Sequence, residues 1–194
     1  APRPPSAPLG LAAAIGLPGY LTPLIGREAE TAVALRLLAR PDVRLLGPIT
    51  YIVDNGEPDA VEVAFRFDTI TGTRAQYYEL LDVGSEGELI EVTQHRMSGS
   101  QLRCAVVTLG TDGCLWITEE DHEYVEGFRV ETRDTIGAGD AFTAGLAWGM
   151  ARRLPWPETC RFANAVGALS TRDIGAQTAL PTLAEVEELL ATAP

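Results

Sequence analysis

The sequence predicts an α/β fold, a layered sheet with flanking helices, and three observations lead to this prediction. Residues 104–109 (CAVVTL) form a nearly continuous apolar run, which is typical of a strand buried on both faces. Further along, residues 140–150 and 158–170 carry apolar side chains at helical spacing. Strand-like and helix-like segments therefore alternate, as they do in layered α/β proteins.

The first 48 residues predict a tail and a small appendage. Residues 1–18 hold several prolines among Ala, Ser and Gly, so we expect a flexible tail. Residues 26–40 have a helical arrangement of apolar side chains that Pro41 ends. Residues 43–46 then predict a short strand stopped by Gly47 and Pro48. We assign residues 19–48 to a helix–strand appendage of unclear origin.

The middle of the chain is less well specified. Residues 49–67 contain alternating apolar side chains, which indicate strand, with a turn at residues 54–56. Residues 77–81 fit the start of a helix or of a strand, and residues 94–101 read as a polar loop. We place residues 49–194 in one domain.

The last ninety residues give clearer signals. Residues 110–113 predict a tight turn, and residues 114–117 predict the returning strand. Residues 127–132 predict another short strand. Pro155 and Pro157 close the first of two helices, and a capping box of Thr182 and Glu185 predicts the start of a final amphipathic helix.

Charge and cysteine content exclude several functions. The net charge is −12 without any run of basic residues, so neither nucleic acid nor an anionic membrane would attract this chain. Residues 11–17 are too short and too interrupted for a signal peptide or a membrane span. Three widely spaced cysteines and two histidines offer no zinc-site spacing. Reduced thiols fit a cytoplasmic protein.

Residues 134–140 (DTIGAGD) carry the strongest chemical signal. Two glycines let the backbone bend sharply and expose consecutive N–H groups at the start of a helix, which together with the helix dipole favour a bound anion. Asp140 lies in the first turn of that helix. A carboxylate that accepts a proton beside amides that hold a phosphate supplies what phosphoryl transfer requires. A plain strand-to-helix turn is the alternative.

These residues resemble the second signature of the ribokinase/PfkB carbohydrate kinase family, Asp-Thr-x-Gly-Ala-Gly-Asp-x-Phe-x-x-Gly, through Phe142 and Gly145. Residues 106–110, Asn164, residues 175–177 and Pro181 match the family in the same order. The resemblance implies a ribokinase-like layered fold whose N-terminal strands and lid are largely missing. It also implies an ATP-dependent kinase, a sugar or related small molecule as substrate, and a homodimer as the candidate assembly.

The resemblance also implies roles for individual residues. Asp140 would be the general base on the substrate hydroxyl. Asn164 would lie near the adenine, although a helix-surface amide is the alternative. The anion hole for the transferred phosphate would consist of Gly137, Ala138 and Gly139. The nucleotide pocket would be lined by Thr108, Leu109, Gly110, Thr111, Asp112, Gly113 and Thr135.

Two metal ions enter through the same resemblance. Mg²⁺ would arrive with ATP, since substrate phosphates usually hold it. Glu88, in a Ser85-x-x-Glu88 stretch, could stand for the family's Asn-x-x-Glu motif near Mg²⁺, and an acidic solvated loop is the alternative reading. A monovalent cation such as K⁺ would be bound, largely through carbonyl oxygens, by Asp134, Ile136, Ser170, Asp173 and Gly175.

Residues 17–48 resemble a different family, the segment before the P-loop of STAND-type regulatory ATPases, but no P-loop lysine follows. Three functions therefore stay open at this point. The chain is a sugar kinase, a non-catalytic nucleotide-binding module, or a degenerate kinase fragment.

Overall fold

A computed structural model describes residues 46–48 and 68–192. The predicted tail at residues 1–18, most of the appendage at 19–48, and the alternating segment at 49–67 lie outside these residues. The boundaries proposed for those segments, and for the domain at 49–194, stay predictions. No described helix combines the length and apolar character needed to cross a bilayer.

The described part contains a five-stranded sheet in the order of the sequence, β1-β2-β3-β4-β5. β1, β2 and β3 run parallel, and β4 and β5 are antiparallel to their neighbours. The strands are β1 (Leu46–Pro48), β2 (Thr69–Thr73), β3 (Cys104–Thr108), β4 (Gly113–Ile117) and β5 (His122–Glu126). β3 is buried on both faces, as its apolar run predicts.

Two strand predictions were wrong. Gly47 and Pro48 do not stop the first strand, because Pro48 pairs with Thr71 inside β1; β1 is an outer strand of the described sheet, where a missing N–H is tolerated. The strand predicted at 127–132 lies instead at His122–Glu126. Its side chains are mostly exposed, so the apolar alternation that marks a half-buried strand is absent. β2 was not predicted at all.

Five α-helices are described: α1 (Arg74–Leu81), α2 (Glu86–Met97), α3 (Ala138–Ala151), α4 (Trp156–Leu169) and α5 (Leu183–Thr192). Capping boxes begin α1 at Thr73 and α2 at Ser85. The uncertain segment at 77–81 is therefore helical, and the polar loop predicted at 94–101 is wrong for its first four residues, which end α2. The predicted box of Thr182 and Glu185 is confirmed, with Glu185 N–H donating to Thr182 Oγ1 at 3.4 Å.

Helices cover both faces of the sheet. On one face α1 and α2 bury apolar side chains against Ala105, Val107 and Leu115. On the other face α3 and α4 pack against Cys104, Val106 and Cys114. This layering confirms the predicted fold class.

The helices α3 and α4 approach each other closely because glycine lies at their contact. A Cβ on Gly145 would lie only 2.8 Å from the Cα of Ala163. Near the other end of the pair, a Cβ on Gly167 would lie 3.4 Å from the Cβ of Phe142. The beginning of α3 therefore lies beside the C-terminal part of α4, and this contact positions the segment with the strongest chemical signal.

Candidate active site

The turn that begins α3 requires glycine at its N-cap. Gly137 has φ 82°, in the left-handed region that L side chains rarely adopt. A Cβ at this position would also lie 2.6 Å from the Cβ of Ala176. The predicted Gly-rich turn is confirmed, and its glycine is fixed by both backbone conformation and close packing.

The start of α3 presents unpaired amides to open space. The N–H groups of Gly137, Gly139 and Asp140 donate to no residue in the described part of the chain, whereas Ala138 N–H donates to the Thr135 carbonyl at 3.2 Å. A Cβ on Gly139 would meet nothing within 4 Å. Unpaired amides at a helix N-terminus carry partial positive charge, so this opening, which we call the α3 mouth, is suited to an anion.

Asp140 lies in the first turn of α3 and is exposed. Within residues 46–48 and 68–192, its carboxylate forms no ion pair and accepts no hydrogen bond. It is therefore available to a group that enters the mouth. Nearby, Thr143 Oγ1 donates to the Gly139 carbonyl at 2.8 Å, which fixes the first turn of the helix.

The chain before the mouth is held by a second segment far away in sequence. Asp134 accepts hydrogen bonds from Ile136 N–H at 3.0 Å and from Gly175 N–H at 3.1 Å. The Thr171 carbonyl accepts from Arg133 N–H at 2.8 Å and from Asp134 N–H at 3.2 Å. We call these contacts between residues 133–136 and 171–175 the clasp. The hydrogen bonds from Ile136 and Gly175 lower the pKa of Asp134, because they favour its charged form.

The clasp brings together the two segments that carry the predicted cation ligands. The Asp134 carboxylate supplies negative charge, and the carbonyls of Ile136, Ser170 and Asp173 accept no hydrogen bond from any described residue. The Gly175 carbonyl is already an acceptor for Ala179 N–H at 3.1 Å. The Asp173 side chain turns to Arg133, with Nη1 and Oδ1 3.5 Å apart. These oxygens belong to the chemical class that binds a monovalent cation, and the cation site itself stays a prediction.

The predicted nucleotide pocket forms a compact turn at the C-terminal end of β3. Residues Gly110–Asp112 form one turn of 3-10 helix, and Leu109 N–H donates to the Gly113 carbonyl at 2.8 Å. Gly113 has φ 103°, and a Cβ there would overlap the Val125 carbonyl oxygen. Residues 110–112 are exposed. We call residues 110–113 the nucleotide turn. The predicted tight turn is confirmed, and its contact with a nucleotide stays a prediction.

Of the two remaining residues predicted to contact the nucleotide, Asn164 is buried and Thr135 is exposed. Asn164 is buried on α4, where its Nδ2 donates to the carbonyls of Val125 at 3.0 Å and Glu126 at 3.2 Å. The helix-surface alternative for Asn164 is therefore wrong. Thr135 is exposed beside the mouth, and its carbonyl accepts the Ala138 amide.

Glu88 has a local partner of its own. Its Oε2 accepts hydrogen bonds from Gly84 N–H at 2.9 Å and Ser85 N–H at 3.1 Å, and these bonds lower its pKa. The alternative of an acidic loop is wrong, because Ser85 and Glu88 begin α2 as a capping box. The Ser-x-x-Glu spacing is itself the sequence signal for such a box. Nothing in this geometry requires a metal at Glu88.

Thr171 and Ala176 contribute to the site without having been predicted. Thr171 acts through its main-chain carbonyl, and Ala176 acts by packing against Gly137. Thr171 acts through a main-chain atom, which no side-chain pattern indicates. Ala176 lies in the segment 175–177 that matches the family, but the match did not indicate its contact with Gly137.

A family model described as pfkB family carbohydrate kinase matches residues 62–183. Among curated relatives, fructokinase-2 of Zea mays is 40% identical over 99 residues, which cover 47% of this chain and 30% of the relative. Probable fructokinase-4 of Arabidopsis thaliana is 36% identical over 121 residues, which cover 58% of this chain and 36% of the relative. The chain thus spans about a third of the length of these relatives.

Solved structures give the same picture of the fold. Fructokinase from Vibrio cholerae O395, in its fructose, ADP and calcium ion bound form, is 30% identical with a TM-score of 0.61; the match covers 68% of this chain and 43% of that one. Ribokinase from Thermotoga maritima is 20% identical with a TM-score of 0.65, covering 82% of this chain and 52% of that one.

Proposed function

The chain belongs to the pfkB family of carbohydrate kinases, and from this premise we propose that it transfers the γ-phosphate of ATP to a hydroxyl group of a sugar. The observation that carries the proposal is the α3 mouth, where unpaired amides lie beside the free carboxylate of Asp140. Fructose is the first sugar to test, because the relatives cited above are named fructokinases.

The proposed chemistry assigns one step to each part of the mouth. Asp140 accepts the proton of the sugar hydroxyl while the hydroxyl oxygen forms a bond to the γ-phosphorus. The bond from that phosphorus to the bridging oxygen breaks, and its electron pair leaves with ADP. The amides of Gly137, Gly139 and Asp140 stabilise the negative charge on the transferred group, which is the main task of a protein in phosphoryl transfer. The Asp140 amide takes the place of the predicted Ala138 amide, because Ala138 N–H already donates to the Thr135 carbonyl.

Two ions complete the proposal. Mg²⁺ bound to the phosphates of ATP would supply neutralising charge. No described side chain is assigned to it, because Glu88 is already used in the capping box of α2. Asp134 and the carbonyls of Ile136, Ser170 and Asp173 would hold a monovalent cation. A cation there would add positive charge behind the turn that carries the mouth, and the clasp would keep its ligands together.

Replacement of Asp140 by Asn tests the catalytic assignment. In a coupled assay with ATP, Mg²⁺ and fructose, Asp140→Asn should lower kcat by about 10²–10⁴-fold, the usual contribution of a general base. Glu158→Gln is the matched control, because Glu158 is an exposed carboxylate in the first turn of the neighbouring helix α4. Its kcat should stay at the wild-type value.

Two outcomes would reject parts of the proposal. Turnover that survives Asp140→Asn would exclude Asp140 as the base. Nucleotide binding by the wild-type chain without turnover on any sugar of a panel would leave a non-catalytic nucleotide-binding module instead.

A further inference from the structure

Asn164 lies where a polar side chain needs partners. It is 6% exposed on the inner face of α4, and its neighbours Ala163 and Ala165 are fully buried. A buried amide costs free energy unless it is hydrogen-bonded. Its Nδ2 donates to Val125 O at 3.0 Å and to Glu126 O at 3.2 Å, so its donors are used by the end of β5.

The end of β5 is in turn packed against the nucleotide turn. Gly127 N–H donates to the Asp112 carbonyl at 3.2 Å. A Cβ on Gly127 would lie 2.5 Å from the Thr111 carbonyl oxygen, and one on Gly113 would overlap Val125 O. The end of β5 and the nucleotide turn are therefore in direct contact, with no space for a side chain between them.

One turn further along, α4 contacts the first turn of α3. A Cβ on Gly167, three residues after Asn164, would lie 3.5 Å from the Ala138 carbonyl oxygen and 3.4 Å from the Cβ of Phe142. The side chain of Asn164 therefore makes a hydrogen-bonded connection from the helix that supports the α3 mouth to the strand that supports the nucleotide turn.

We propose that Asn164 is a positioning residue that holds the nucleotide turn at a fixed distance from the α3 mouth, so that one nucleotide can contact both. This inference rests on the proposed function and deepens it. It differs from the adenine contact that the family resemblance implies, because the Nδ2 donors are already used by two main-chain carbonyls and only Oδ1 is left for other contacts. Acting through β5, Asn164 should support the binding of ATP and GTP equally.

A comparison of ATP with GTP tests whether the role of Asn164 depends on the base. Asn164→Asp keeps the shape of the side chain, removes both donors and sets a carboxylate against two carbonyl oxygens. Titration calorimetry with Mg-ATP and Mg-GTP should show both affinities falling by the same factor, about tenfold for the loss of this buried bonding. The ratio of the ATP and GTP affinities should stay at its wild-type value. A loss confined to ATP would show a base contact and overturn the proposal.

Hydrogen exchange of the nucleotide-free chain gives a readout that does not depend on kinase function. Asn164→Asp should accelerate amide exchange in peptides covering residues 109–113 and 125–127 by about tenfold, because their shared support is lost. Peptides of α1 and α2, on the opposite face of the sheet, should exchange as in the wild type. Unchanged exchange in the nucleotide turn would overturn the proposal even if ATP binds.

A matched control separates positioning from general destabilisation. Thr159 is also buried on α4, and its Oγ1 donates to the Leu154 carbonyl at 3.2 Å. Thr159→Val should accelerate exchange near residues 154–159 and leave the nucleotide turn unchanged. Acceleration of the nucleotide turn by Thr159→Val to the same degree would contradict a specific role for Asn164.

Gly127→Ala perturbs the contact between the end of β5 and the nucleotide turn directly. It provides a second test of the proposal if Asn164→Asp fails to fold. The added methyl group would push against Thr111 O while leaving Asn164 intact. It should lower the ATP and GTP affinities by equal factors. A base-selective loss in this variant would equally refute the proposal.

Discussion

At the scale of single residues, the two glycines of the α3 mouth have different tasks although they are two positions apart. Gly137 is required by the fold, since it has φ 82° and packs on Ala176. Gly139 has open space around it, so the fold itself does not require glycine there. Under the proposed function, glycine at this position leaves the amide accessible to an anion.

Substitution by alanine separates these tasks. Gly137→Ala should lower the free energy of unfolding by about 1–3 kcal/mol, because it adds left-handed strain to a steric overlap. Gly139→Ala should leave the unfolding midpoint in urea almost unchanged, since alanine suits a helix. It should nevertheless weaken ATP binding, because the methyl group enters the mouth. Equal unfolding midpoints for the two variants would contradict this division.

At the scale of elements, the hydrogen bonds of the clasp hold the chain segment that leads into the α3 mouth. Asp134 and Gly175 are 41 positions apart, and their hydrogen bond joins the segment before α3 to the segment after α4. The close contact between Gly145 and Ala163 fixes the same two helices further along their length. Helix packing and clasp thus define the mouth together, and neither is local in sequence.

The lowered pKa of Asp134 predicts a pH dependence of stability. A carboxyl group whose pKa is lower in the folded state stabilises the protein above its unfolded pKa of about 3.9, and this contribution is lost as pH falls through the folded value. The wild type should therefore melt at a higher temperature than Asp134→Asn at pH 6, and the difference should shrink below about pH 4. Glu88 and Glu185, whose pKa values are also lowered, are present in both proteins and cancel in the difference. A difference in melting temperature that is the same at pH 6 and pH 3 would be inconsistent with this role.

At the scale of the whole molecule, contiguous signals could be read from the sequence and distributed ones could not. A pattern of a few contiguous residues predicts each of three elements: the β3 strand, the turn at 110–113 and the turn at 134–140. The structure confirms all three. β5 was predicted at the wrong residues because an exposed outer strand lacks an apolar pattern. The contacts of the Thr171 carbonyl and of Ala176 were not predicted, because they join segments that are far apart in the sequence.

We propose that the amides of the α3 mouth bind a phosphoryl group of ATP beside Asp140. The most direct measurement is a titration of the ¹⁵N-labelled chain with Mg-ATP, followed through the amide resonances of Gly137, Gly139 and Asp140. These three resonances should shift together and saturate at one nucleotide per chain, along with resonances of the nucleotide turn. Saturable binding that shifts other amides while these three stay in place would contradict it.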